Sequence, residues 1–157
     1  MSYAIRKDGQ SWRAVNGPED VTADEIYSDT QPQVTVDQLK SRQWDAIKAE
    51  RDRRKAGGVK VKVGTTNKWF HSDDASRIQQ MALVMMGASI PAGLQWKTMD
   101  GTFVAMDQTV AGNVFAAAAA SDQAIFAVAE GHETAMEASA DPSTYDFSTG
   151  WPKIYGE

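Results

Sequence analysis

No cysteine occurs in this chain, which excludes disulfides, thiolate metal sites and cysteine nucleophiles and leaves the redox compartment open. Histidine is scarce, with two residues among 157, so imidazole chemistry has few places to sit. The opening, MSYAIRKDGQ, lacks the apolar core of a secretory signal. The longest apolar runs, MALVMMGASI and VFAAAAA, fall far short of a membrane span. We therefore expect a soluble intracellular product with no membrane insertion. Also missing are the G-x-S-x-G elbow, the phosphate-binding glycine loop, the dinucleotide fingerprint and H-E-x-x-H. A net charge of -5 argues against general nucleic-acid binding, which needs a cationic face.

What is present suits a globular domain: 42% hydrophobic and 24% charged residues place the chain away from disordered compositions. Its organising stretch is residues 35–78. Thr35 and Gln38 fit a capping box with Asp37 in the first turn, predicting a helix to about Lys55. The apolar positions of that helix (Val36, Leu39 or Lys40, Trp44, Ile47) stop there, so its polar last turns are expected to project into solvent or onto a partner. Gly57-Gly58 ends it.

VKVKV at 59–63 alternates as a strand. Gly64 to Lys68 then form a turn, and Trp69, Phe70 and His71 return. Ser72 or Asp73 caps a second helix, in which Ile78, Met81, Ala82 and Met85 make one stripe, widened by Leu83, Met86 and Ile90. This helix is expected to be buried on most sides and to end at Pro91 and Gly93. LQWKTM and TFVAM flank Asp100-Gly101, the strongest hairpin signal in the chain. Asp107 caps a last long helix with Val110, Val114, Ala118, Ser121, Ile125 and Val128 on one face, reaching about Ala140. Its alanines 116–120 allow close approach to a neighbour.

At the N-terminus, two short runs surround Asp8-Gly9, predicting a hairpin that is either an attachment module or an addition to the main sheet. Residues 16–33 read as a linker with one helical turn near Ala23 to Tyr27. The tail after Pro142 is aromatic but aperiodic, pinned by Tyr145, Phe147 and Trp151. The fold class is α+β: helices packed with two short β-hairpins, plus an N-terminal hairpin module (1–33), a body (34–141) and a C-terminal tail (142–157).

Candidate chemistry is thin. His71-Ser72-Asp73-Asp74 could offer metal ligands, but a strand end followed by a helix cap explains every residue. His132 has Met136, not a ligand, at i+4. The carboxylate pairs Glu19-Asp20 and Asp24-Glu25 lie in loop-like sequence that would not split their pKa values by burial. We expect no enzyme, no cofactor and no metal. The RDRRK run at 51–55 is interleaved with Glu50 and Asp52 and reads as a solvated helix end. Trp12 and Trp151, near the termini in polar company, are candidate protein-contact residues. With Arg51, Arg53 and Arg54 they make up the candidate interface set.

The residues WDAIKAERDRRKAGGVKVKV from Trp44, WFHSDDASR at 69–77, and Trp96 with DGTFVAMD at 100–107 resemble the DUF4376 family. This domain of unknown function occurs in tailed-bacteriophage proteins associated with tail fibres. The resemblance runs from about Val36 to Ala140, and YAIRKDGQSWRAV is similar to the start of such tail proteins. It implies a virion tail component that is made in the host cytoplasm and partnered by tail-fibre or tail-tip proteins. The alternative is a tail-fibre assembly chaperone, and a host-directed regulator stands third. The family has no established catalytic residues to carry over. Self-association stays open, with trimers or hexamers the forms that tail symmetry would favour.

Overall fold

A computed structural model describes residues 1–9 and 11–157. The short extended run at the start forms β1 (Ser2–Arg6), which pairs antiparallel with β2 (Trp12–Val15) on one side and β3 (Glu25–Ser28) on the other. These three strands form a sheet of their own, order β2-β1-β3, so the N-terminal hairpin does not extend another sheet. The expected helical turn near Ala23 is corrected to β3. Its pairing with β1 is remote in sequence, so no local pattern announced it. A single 3-10 turn (Pro18–Asp20) lies between β2 and β3.

Arg13 on β2 reaches the β3 carboxylate of Glu25 with both Nε and Nη2, each at 2.9 Å, and the Thr22 N–H adds a third bond at 2.9 Å. The Arg13 hydrogen bond foremost, then the Thr22 N–H, lowers the Glu25 carboxyl from 4.5 to about 2. A depressed folded-state pKa stabilises above the unfolded value, and that contribution is lost as pH falls from about 4.5 towards 2. An NMR titration of Glu25 should therefore give a midpoint near 2, and Arg13→Met should return it towards the ordinary range. An unchanged midpoint in the variant would refute the pairing.

Next come α1 (Val36–Lys55), β4 (Val59–Val63), β5 (Thr66–Phe70), α2 (Asp74–Met86), β6 (Gln95–Lys97), β7 (Phe103–Ala105) and α3 (Gln108–Glu137). The capping box at the start of α1 forms: Thr35 N–H donates to Gln38 Oε1 at 2.9 Å and Gln38 N–H to Thr35 Oγ1 at 3.2 Å. The β4–β5 turn is the pair Gly64-Thr65, with Val63 opposite Thr66, shorter than the expected Gly64 to Lys68. Asp73 caps α2, accepting from Ser76 N–H at 3.0 Å. Helix α2 stops at Met86, well before Pro91, because Gly87 takes φ +53° and turns its N–H back to Leu83 O. Asp107 caps α3 through Val110 N–H at 2.8 Å, and α3 ends at Glu137, short of Ala140.

The chain divides into two compact units, residues 1–45 with 136–145 and residues 46–135 with 146–157; α1 and α3 contribute to each. This division is distinct from the segments 1–33, 34–141 and 142–157. In the first unit Ala4, Val15 and Met136 are buried. Lys40 Nζ meets Glu137 Oε2 at 2.6 Å there, and Gln43 Nε2 donates to Tyr145 O at 2.6 Å.

An apolar core of the second unit gathers Val59 and Val61 of β4, Phe70 of β5, Leu83 of α2, Val104 and Met106 at β7, and Ala111, Val114 and Ala118 of α3. Ile47, Ile125, Ala129 and Ile154 are buried in this unit outside that cluster. The alternation of VKVKV puts its first two valines in that core and its lysines outside.

Candidate docking surface

Two regions of the second unit hold the residues of interest: the C-terminal end of α1, where sequence placed the arginines, and the pair α2–α3. At the first, Arg54 is 8% exposed. Its guanidinium donates to Glu50 Oε1, to Pro152 O at 2.8 Å and to Glu157 Oε2 at 3.0 Å, and lies 5.6 Å from the Trp151 ring centre. Arg51 and Lys55 sit over Phe126, 5.0 and 5.4 Å from its ring centre. The expectation that this helix end projects into solvent is corrected: residues 151–157 fold back on it. Ile154, which sequence reading overlooked, is the anchor. It fills the space left by Gly57, where a Cβ would come within 2.6 Å of the Ile154 side chain. Tyr155 N–H then donates to Gly57 O at 2.9 Å.

Of the five predicted interface residues, the structure brings Arg51, Arg53, Arg54 and Trp151 to this end. Arg54 and Trp151 serve the tail, Trp151 also donating its Nε1–H to Phe147 O at 2.6 Å. Arg53 is paired with Glu50 at 2.7 Å and half exposed. Trp12 lies elsewhere, on β2, edge-on to Tyr3 at 5.2 Å and 37% exposed.

On α2, burial runs through Gln80 and Leu83. The opposite face is open: Ile78 is 64% exposed, Met81 46% and Met85 81%, with Ala82 exposed among them. The expectation that α2 is buried on most sides is corrected. Period gives a helix an apolar stripe, but only packing decides whether this chain covers it. Phe115 of α3, 45% exposed, stands beside the stripe. Between α2 and α3 runs a groove of about 270 Å³, with Ile78, Met81, Phe115 and Ala119 on its walls. Its charged lining residues, Arg77 and Asp122, form a bidentate pair at 2.6 and 2.8 Å. Gln80, also lining it, donates Nε2–H to His71 O at 2.7 Å, while its buried Oε1 has no partner among the described residues.

The displaced acids are tied into turns and caps. Asp100 is pulled below the usual carboxylate range by the Thr102 hydroxyl foremost, then by Thr98 and Lys68. Asp73 is lowered first by the Ser76 N–H it caps. Among the described residues no group of three or more His, Asp or Glu could hold a metal ion, and no helix is long and apolar enough to cross a membrane.

The family model described as Domain of unknown function (DUF4376) matches residues 38–149. The chain belongs to this family. No curated protein and no solved structure matches it. The DUF4376 match takes in both walls of the groove. It leaves out β1–β3 and, at the other end, Trp151, Ile154 and Glu157, so Arg54 inside the matched region is completed by residues beyond it.

Proposed function

We propose that this DUF4376 chain is a non-enzymatic component of a bacteriophage tail, associated with the tail fibre or tail-tip apparatus, and that it works by holding one protein part against another. The observation that carries a contact role is the open stripe Ile78, Met81, Ala82 and Met85. A helix face of core-like composition stays in water, and an exposed apolar patch of this kind marks a protein-contact surface. The phage-tail setting is supported by the motif residues at 44–63, 69–77 and 96–107. Asp73, Asp100 and the Arg77–Asp122 pair are occupied in a cap, a turn and an ion pair, which supports contact over catalysis.

The same face also favours a second reading, the tail-fibre assembly chaperone. Met81, Met85 and Met86 are unbranched and repack against changing partners.

Quantitative mass spectrometry of purified virions and of infected lysate tests both. A fixed stoichiometry with the tail proteins in virions is the expected result. Presence in lysate bound to fibre protein, with none in virions, would establish the chaperone instead. Recovery with a bacterial protein and no tail protein would overturn both.

A further inference from the structure

Resting on the reading of the α2–α3 face as a protein-contact surface, we infer that its occupant is a second copy of this chain, the two pairing α2 against α2 about a twofold axis. Three observations converge on this.

The first is geometry. Ile78, Met81, Ala82 and Met85 are spaced by three and four along α2 and lie opposite its buried residues Gln80 and Leu83. This is the spacing by which two like helices interdigitate, and Ala82 within the stripe lets the backbones come close. An isologous contact needs one self-complementary patch, and a straight stripe of this sort is one.

The second is charge. No charged residue occurs between Ile78 and Trp96, nor between Gln108 and Ser121. The two charges that border the groove neutralise each other. Two chains of net charge -5 would repel through most faces but not through this one. A partner selected by charge would leave complementary charges here; from Ile78 to Met86 there are none, and Asp74, one turn before Ile78, is the only acid on this side of α2.

The third is area. At about 200 Å² for each side chain of this size, the exposures of Ile78, Met81, Met85 and Phe115 leave roughly 450–500 Å² of apolar surface in one patch. Burying the patch on both copies removes about 900–1,000 Å², close to the ~1,000 Å² that a specific interface needs. Met86, 43% exposed, and Ala119 at the edge add to it.

Light scattering of the purified full-length chain tests the pairing. At tens of micromolar the wild type should have twice the monomer mass. Met85→Glu, which alters a side chain with little contact to its own chain, should be monomeric, with dimer affinity weakened at least about a hundredfold by facing carboxylates. The absence of cysteine gives a second readout that does not depend on that variant. Mild oxidation should link Met81→Cys into a covalent dimer, while Lys62→Cys on the outer face of β4 stays monomeric. A wild type that remains monomeric at hundreds of micromolar, or equal cross-linking of the two cysteine variants, overturns the pairing. These outcomes separate from the tail reading. A monomeric wild type whose Met85→Glu form is lost from virions refutes the second copy and keeps the contact surface. A dimer absent from virions and from fibre complexes keeps the pairing and refutes the tail role.

Discussion

Phe70→Ala should lower the stability of the second unit by about 3–5 kcal/mol. The ring closes β5 opposite Val59, is 0% exposed, and belongs to the core that Val61, Leu83, Val104, Met106 and Val114 share. Truncating it removes the transfer free energy of the ring. It also leaves a cavity, because the hairpin on one side and the helices on the other are each held by their own backbone bonds and collapse only partly. Natural domains carry about 5–15 kcal/mol in all, so the loss is a large fraction of what is available. Urea denaturation reads it as a lower midpoint at unchanged slope. Phe103→Ala is the control. That ring is 62% exposed, and its loss should cost within about 0.5 kcal/mol, as surface changes do. Equal effects from the two rings would mean that the hairpin does not close the core.

Ser72→Ala should cost about 2–3 kcal/mol although it removes one oxygen atom. Ser72 is 1% exposed, and its hydroxyl accepts from the Gly58 N–H at 2.8 Å while donating to Lys55 O at 2.6 Å. The last residue of α1, the first turn of the β4 hairpin and the entry to α2 thus meet on one side chain. Alanine leaves the Gly58 N–H without this acceptor in a buried place, a penalty of about 1–3 kcal/mol for such a group. Lys55 O fares better, since Arg77 Nη2 also reaches it at 3.1 Å, which keeps the total below two full penalties.

The backbone cannot readjust freely. Gly58 holds φ +95°, and its α-carbon is so close to Met99 that a Cβ would come within 2.3 Å of the sulfur. Hydrogen exchange at Gly58 N–H should quicken about thirtyfold, the ratio that corresponds to 2 kcal/mol, if opening is local. Ser76→Ala is the comparison. Its hydroxyl meets Asp73 at 2.8 Å, but the Ser76 N–H keeps the same carboxylate without it. If Ser72→Ala cost no more than Ser76→Ala, the view of Ser72 as the joint between the three elements would be wrong.

Elements whose signals are local were legible. The capping box at Thr35 and Gln38 works within four residues, and the structure forms both of its bonds. Val110, Val114, Ala118 and Ile125 share a face because 3.6 residues make a turn, and Val114, Ala118 and Ile125 are buried. The Asp100-Gly101 and Asp8-Gly9 hairpins form because the turn residues meet a backbone demand within their own loops. β3 was not legible, because Glu25 to Ser28 is a strand only by virtue of β1 beside it. The cover over Arg54 was also hidden: Glu157 and Pro152 lie at the far end of the chain, and a polar helix end looks the same in sequence whether water or a tail meets it.

For the candidate surface the split is sharper. Spacing alone established that Ile78, Met81, Ala82 and Met85 share one side of a helix, since that follows from the pitch of the helix and from nothing beyond it. Which side faces inward was settled by assembly. Gln80 and Leu83 turn to the core, Gln80 held there by its bond to His71 O, and the more apolar stripe is left in water. Periodicity is a property of neighbouring residues, whereas burial depends on what distant parts of the chain, or another chain, bring to the contact.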